Sequence, residues 1–258
     1  MILKNLITVS AFTAVLFPTS AFIHQNKDQK TAQHPASENS GFAVLELFTS
    51  EGCSSCPPAD ELMGKIEKEY EGEPVYLLSY HVDYWNRLGW KDRFSTAENS
   101  QRQQQYSRIL NSQVYTPQLV INGKTEFVGS DENHIKNSIQ KALLVSKKTD
   151  VTLSANISRN KIDVQYKTSA SDSNSALLVN LVEKHSSTQV GKGENEGHHL
   201  HHWQIVHKQN QISLNKQQKG ITTFKLPESF SPENWEVIAF IQNVKTGEIS
   251  GSAKTSFK

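Results

Sequence analysis

Apolar residues gather in short runs along the first half of the chain, separated by stretches with helical spacing. Residues 42–49 (FAVLELFT) are almost unbroken in apolar and β-forming side chains and predict a buried strand. Residues 57–70 (PPADELMGKIEKEY) predict a helix, and 75–82 (VYLLSYHV) a second strand. Further on, 118–121 (QLVI) and 125–128 (TEFV) flank Asn122-Gly123, a strong hairpin signal, and 132–145 predict a closing helix. Past residue 150 the pattern changes. The runs VTLSANIS, KIDVQYKT, ALLVNLVEKH, ITTFKLP and EVIAFIQ are strand-like and separated by turn residues, the signature of a β-sandwich. The expected organisation is therefore an α/β domain over 41–148 and a β-rich sandwich domain over 149–258, divided at the turn 147–150.

The amino-terminal segment has a different character. Residues 1–21 carry one charge, Lys4, then an apolar stretch over 6–17 and the small residues Thr19, Ser20 and Ala21, the layout of a cleaved secretory signal. Residues 22–40 are polar, with almost no apolar side chains, and predict a disordered leader. No later segment approaches twenty apolar residues, so no stable membrane anchor is expected and the protein reads as secreted or periplasmic. Removing Lys4 with the signal balances basic against acidic residues. A near-neutral chain offers no basic field for nucleic acid.

Chemistry enters with the only two cysteines, Cys53 and Cys56, spaced Cys-Ser-Ser-Cys between the first strand and the first helix. A thiol at a helix N-terminus sees backbone N–H groups and the positive end of the macrodipole, which favour the thiolate. Cys53, the outer residue, is the expected nucleophile. Cys56, about one turn later, would resolve a mixed disulfide by closing the short ring. Two other readings stand beside this one: a static disulfide stapling the loop, and a pair of soft metal ligands. A staple in so small a ring removes little chain entropy. Pro57 and Pro58 take two donors out of the first helical turn, and Glu51 and Asp60 add negative charge, so Cys53 is expected to be only modestly acidic.

A second feature supports exchange: Thr116-Pro117 leads straight into the strand at 118–121. Proline at a strand entry lacks the ladder donor and marks an edge or a special turn, of which a cis bond is one. The order strand, C-x-x-C helix, strand, helices, Thr-Pro, hairpin and final helix is that of the thioredoxin fold. The strings LELFTSEGCSSCPPADEL, SYHVDYWNRLGWKDRFS, RQQQYS and VYTPQLVINGKTEFVGSD resemble the secreted thioredoxin-like proteins of domain-of-unknown-function family 1223. The resemblance continues through GKGENEGHHL and IAFIQNVKTGEISGSA. It implies a thioredoxin-like domain with a helical insert followed by a β-sandwich-like domain, and it implies no particular reaction.

In that topology the ends of the first two strands and the start of the third share one edge, placing His81, Asp83, Tyr84 and Trp85 with Thr116 and Pro117 beside the cysteines. The Thr116-Pro117 loop would hold an extended partner chain, as its thioredoxin counterpart does. Glu46, one acidic residue in an apolar strand, stands roughly where thioredoxins keep a buried carboxylate that takes the resolving thiol's proton; the alternative is an acid paired with a lysine. Trp85, Trp90 and Phe94 are expected to form the core of the helical insert. The chain departs from thioredoxins of familiar type in having Ser54-Ser55 between its cysteines and no tryptophan before Cys53.

Five of the ten histidines fall at His198, His199, His201, His202 and His207. On a strand, alternation puts His199 and His201 on one face, and such a pair could hold zinc or copper, but an exposed histidine strand without a metal role is the plainer reading. Three function classes follow: an exported thiol–disulfide oxidoreductase acting on protein thiols or disulfides without a cofactor, a copper- or zinc-handling protein using the same cysteines, and a non-catalytic binding module with a structural disulfide. The catalytic set expected for the first is Cys53, Cys56, Glu46, Thr116 and Pro117.

Overall fold

The computed structural model describes residues 41–170, 173–214 and 217–257; the expected signal at 1–21 and leader at 22–40 lie outside the described residues. Strand β1 (Ala43–Thr49) is buried at every position. Both its faces are covered, which is why its sequence is a nearly continuous apolar run rather than an alternating one. Ala43, Leu45 and Leu47 meet α1 (Pro57–Glu69) and α3 (Glu132–Leu143), whereas Val44 and Phe48 pack with Tyr106 of α2 (Ala97–Leu110). In α1 the prolines occupy the first turn, where the missing N–H groups have no helical acceptor, and Ala59, Leu62, Met63 and Ile66 recur at helical spacing on the buried side. Thr96 and Asp131 cap α2 and α3 by accepting from the N–H groups of Asn99 and His134.

Strand β2 (Val75–His81) runs parallel to β1, aligning Thr49 with His81, and β3 (Gln118–Ile121) runs antiparallel, aligning Phe48 with Gln118. The ends of β1 and β2 and the beginning of β3 therefore share one edge. Strand β4 (Thr125–Val128) returns through Asn122 and Gly123, whose φ angles of 48° and 65° are those a tight hairpin turn demands.

The second half contributes β5 (Val151–Ser158), β6 (Lys161–Thr168), β7 (Ser175–Gln189), β8 (His199–Ser213), β9 (Lys219–Lys225), β10 (Trp235–Asn243) and β11 (Ile249–Ser256). Strands β5, β6 and β9 form a small sheet. It lays Ile162, Val164, Tyr166 and Phe224 on Leu177, Val179, Leu181, Val237, Ala239 and Ile241 of β7 and β10. The strands below that layer belong to one eight-stranded sheet ordered β11-β10-β7-β8-β2-β1-β3-β4. The sheet thus crosses the boundary expected near residue 148, with β8 joining β2 in parallel at Ser79 and Ile205, and the described residues fall in one compact unit. The physical reason is the length of β7 and β8. At 15 residues each, they are long enough to pair within the second half with one portion and still reach the first half with the other. The architecture is mixed α/β, with a large sheet and three α-helices among the described residues.

Candidate functional site

Cys53 and Cys56 form a disulfide with Cα atoms 5.4 Å apart, and neither residue has exposed surface. They lie between β1 and α1, where Cys56 is the N-cap and its carbonyl oxygen accepts from the N–H groups of Ala59 (2.9 Å) and Asp60 (3.1 Å). The intervening Ser54 and Ser55 are exposed. The Thr116–Pro117 bond is cis, and Thr116 Oγ1 donates to Cys53 Sγ at 3.2 Å. That direction is set by Trp85, whose indole Nε1, a donor only, points its hydrogen at Thr116 Oγ1 at 2.9 Å and leaves the hydroxyl proton for the sulfur. Ser55 Oγ lies 3.4 Å from the same sulfur and 3.4 Å from the Thr116 carbonyl oxygen. The Thr116 hydroxyl at Cys53 Sγ supplements a helix terminus that two prolines have depleted of N–H groups.

The β7–β8 hairpin closes over this loop from the far half of the chain. Asn195 is buried, and its Nδ2 donates to the carbonyl oxygens of Glu51 (2.9 Å) and Cys53 (3.0 Å). The Ser54 N–H donates to Glu194 Oε2 at 3.1 Å, and hydrogen bonds from the Ser54 side chain and then its backbone lower the Glu194 pKa. Trp90 lies against Gly191 and Gly193 of the hairpin and donates from Nε1 to Glu51 Oε2 at 2.7 Å. Trp85 and Trp90 thus bond to the cysteine surroundings as well as packing. The pattern of alternating apolar residues gave no sign of Glu194 or Asn195 as partners of the cysteine loop; the Gly-rich composition of their segment was the one available signal.

Glu46 goes elsewhere. It projects from β1 on the α2 side of the sheet, where Arg102 Nε donates to its Oε2 at 2.5 Å and Tyr106 donates to its Oε1. Its partner is a buried arginine rather than a lysine, and none of its hydrogen bonds reaches the cysteine loop. Arg102 also meets Gln242 Oε1 at 3.3 Å and stacks over Tyr80, Tyr106 and Phe240. Burial would lower the Arg102 pKa, but Glu46 more than reverses this and raises it. Burial likewise lifts the Tyr80 and Tyr106 hydroxyls well above the usual tyrosine range. The arrangement is a structural ion pair tying β1 to α2.

His81 and Asp83 also separate. Asp83 accepts from Ser100 Oγ at 2.5 Å, a local contact at the start of α2. His81 is fully buried, with Nδ1 2.7 Å from Asp92 Oδ2. Burial works to raise the Asp92 pKa, but His81 and the N–H groups of Glu51 and Phe94 outweigh it and hold the carboxyl low. The His81 ring stands edge-on to His202, 4.8 Å between centroids.

The histidine run divides on β8. His198 and His199 are exposed, His201 is half-buried and 4.8 Å from His199, and His207 pairs with Glu183 at 2.7 Å. Among the described residues no group of three or more His, Cys, Asp or Glu side chains is arranged to hold a metal ion. His202 is different, being only 1% exposed. It lies between two buried acids, Nδ1 3.5 Å from Asp60 Oδ2 and Nε2 3.5 Å from Glu51 Oε1. Burial pulls the imidazolium down, but the two carboxylates overcome it and push the pKa up to about 10. Strand β8 runs along α1 here: His202 faces Asp60, Trp203 covers Gly64, and Gln204 Nε2 donates to Glu67 Oε1 at 2.5 Å.

Comparison with known proteins gives a family and similar folds. A crystal structure of a protein from Agrobacterium tumefaciens is 28% identical over 84% of this chain and 95% of its own, with a TM-score of 0.60. HBP35 of Porphyromonas gingivalis shares the fold at 16% identity, covering 86% of this chain and 76% of that one, with a TM-score of 0.56. None of the curated proteins matches. The family described as protein of unknown function DUF1223 matches residues 44–242, most of the chain, and this protein therefore belongs to that family.

Proposed function

We propose that this chain is an exported thiol–disulfide oxidoreductase with a thioredoxin-like half, in which Cys53 exchanges with protein thiols or disulfides and Cys56 resolves. The observation that carries the reading is the hydroxyl of Thr116, oriented by Trp85, donating to Cys53 Sγ across the edge shared by β1, β2 and β3. A donor on that sulfur stabilises it as a thiolate, and the thiolate is both the better leaving group and the species that attacks. Export would place the pair where disulfides persist. The strand, Cys-Ser-Ser-Cys, helix order and the position of Pro117 at the entry to β3 support the thioredoxin-like assignment.

A static crosslink is the competing reading, and one observation favours it: both cysteines are fully buried. Exchange then requires the exposed Ser54-Ser55 turn, or the hairpin carrying Glu194 and Asn195, to draw back. Copper or zinc handling needs the reduced pair, and metal analysis of reduced, reconstituted protein separates it from exchange. The test of the main reading is reaction of the oxidised protein with a dithiol, followed by trapping with Cys56→Ser. Accumulation of a mixed disulfide at Cys53 supports exchange; a pair that no dithiol reduces while the protein stays folded returns it to a staple.

A further inference from the structure

Beneath the cysteine loop lie three buried ionisable side chains whose polar atoms are left partly unmatched, and they have no part in the exchange as described so far. Glu51 is 0%, Asp60 3% and His202 1% exposed. His202 Nδ1 and Nε2 meet Asp60 Oδ2 and Glu51 Oε1 only at 3.5 Å, the long limit of a hydrogen bond, so the ring is held by charge more than by close hydrogen bonding. Buried polar atoms without close partners are uncommon in folded proteins and call for an explanation. The side chains around them make specific contacts. Trp90 holds Glu51 Oε2 at 2.7 Å, and Thr49 Oγ1 donates to Asp60 Oδ2 at 3.2 Å. The His202 ring is walled by His81 and Phe94 at 4.8 and 5.6 Å.

The three are also tied to the disulfide from both ends. Glu51 precedes Cys53 by two residues, and Asn195 clamps the carbonyls of both. Asp60 follows Cys56 by one helical turn, its N–H bonded to the Cys56 carbonyl oxygen at 3.1 Å, so the two side chains emerge on the same side of α1. Resting on the oxidoreductase reading, we propose that Glu51, Asp60 and His202 form one proton-exchanging set that supplies a proton to Cys56 when the disulfide opens and recovers it as exchange completes.

The step balances with a dithiol as co-reactant. The partner's thiolate attacks Cys53 Sγ; the Cys53–Cys56 bond breaks and its electron pair leaves on Cys56 as a thiolate. His202 gives up a proton and Cys56 becomes a thiol. The partner's second thiol then returns a proton to the set and attacks its own sulfur in the mixed disulfide, and Cys53 departs as a thiolate. Two electrons pass from dithiol to disulfide, and the set ends as it began. The same carboxylates disfavour a thiolate formed beside them on Cys56, which draws the proton from His202, and the set left without that proton is basic enough to take the next one. The charges facing His202 come from every neighbouring element: Glu51 from the loop after β1, Asp60 from α1, His81 from β2 with Asp92 behind it, and His185 from β7.

The test is stopped-flow reduction of the full chain by dithiothreitol from pH 5 to 10, with the wild type beside Asp60→Asn, Glu51→Gln and His202→Gln, and thermal melts to confirm folding. The proposal expects each variant to slow reduction about tenfold near neutral pH and to flatten the pH profile. Wild-type and variant profiles of the same shape overturn the proton set while leaving exchange intact; a wild type that is not reduced at all overturns the oxidoreductase reading, and this proposal with it. Should the variants not fold, the His202 ring resonances in the wild type decide: a midpoint that moves between oxidised and reduced protein supports the set, and one that stays fixed overturns it.

Discussion

The side-chain amide of Asn195 donates to the carbonyl oxygen of Cys53 at 3.0 Å, joining two residues 142 positions apart. The same amide serves the Glu51 carbonyl, so one buried side chain from the β7–β8 hairpin satisfies two acceptors of the cysteine loop. Replacing it with alanine strands both carbonyls, and an orphaned buried acceptor costs about 1–3 kcal/mol. Asn195→Ala is expected to lose about that much by urea unfolding. Asn195→Asp is expected to lose more, because a carboxylate of nearly the same shape turns acceptor against acceptor. Equal stability of Asn195→Asp and the parent would contradict the clamp.

Glu46 gives a second prediction. Removing one partner of a buried ion pair costs about 3–5 kcal/mol, because the other charge is left uncompensated in the interior. Arg102→Ala is therefore expected to destabilise the fold by that amount. Arg102→Lys recovers little, since lysine cannot reproduce the guanidinium's contacts with Glu46, Gln242 and Tyr106. Glu46→Gln should change stability and leave the rate of cysteine exchange as it was. A selective loss of the resolution step in that variant would restore Glu46 to the proton-accepting role expected from sequence.

Much of the first half was legible in the chain. Continuous apolar runs marked β1 and β2, and Asn122-Gly123 fixed the hairpin, because these signals are local. The role of Glu46 was not, since a carboxylate in a buried strand looks the same whether it faces a thiol or an arginine. Only the placement of α2 on that face of the sheet decides it. The join of β8 to β2 was equally hidden: the pattern after residue 150 marks strands but carries no record of which strand lies beside which. The sequence groups His202 with its neighbours in an exposed strand, and burial under α1 is a tertiary fact that sets it apart.

The fit of β8 along α1 makes a prediction of its own. A Cβ added to Gly64 would stand 2.5 Å from the Trp203 indole, closer than atoms approach. Overpacking of this kind costs about 1–3 kcal/mol. Gly64→Ala is expected to lower stability by that order, and pairing it with Trp203→Leu should recover part of the loss. Additive effects in the double-mutant cycle would show that the two residues do not meet.

His202 sets a pH dependence whose sign is fixed. Its folded pKa of about 10 lies above the ordinary histidine value of 6.5, so its stabilisation is fully present below about pH 6.5 and is lost as pH rises through about 10. The unfolding free energy of the wild type, minus that of His202→Gln, should fall steadily across that window. A difference that is flat between pH 6.5 and 10 would mean that the ring is not held charged between Glu51 and Asp60.

The account rests most heavily on Cys53 and Cys56 being an exchanging pair rather than a staple. Equilibration of the folded protein in glutathione buffers of graded ratio, acid-quenched and alkylated for mass spectrometry, measures this directly. The account predicts a reversible two-electron transition between disulfide and dithiol, reached from either direction, with circular dichroism unchanged. A disulfide that stays closed in every buffer until the protein unfolds would contradict it.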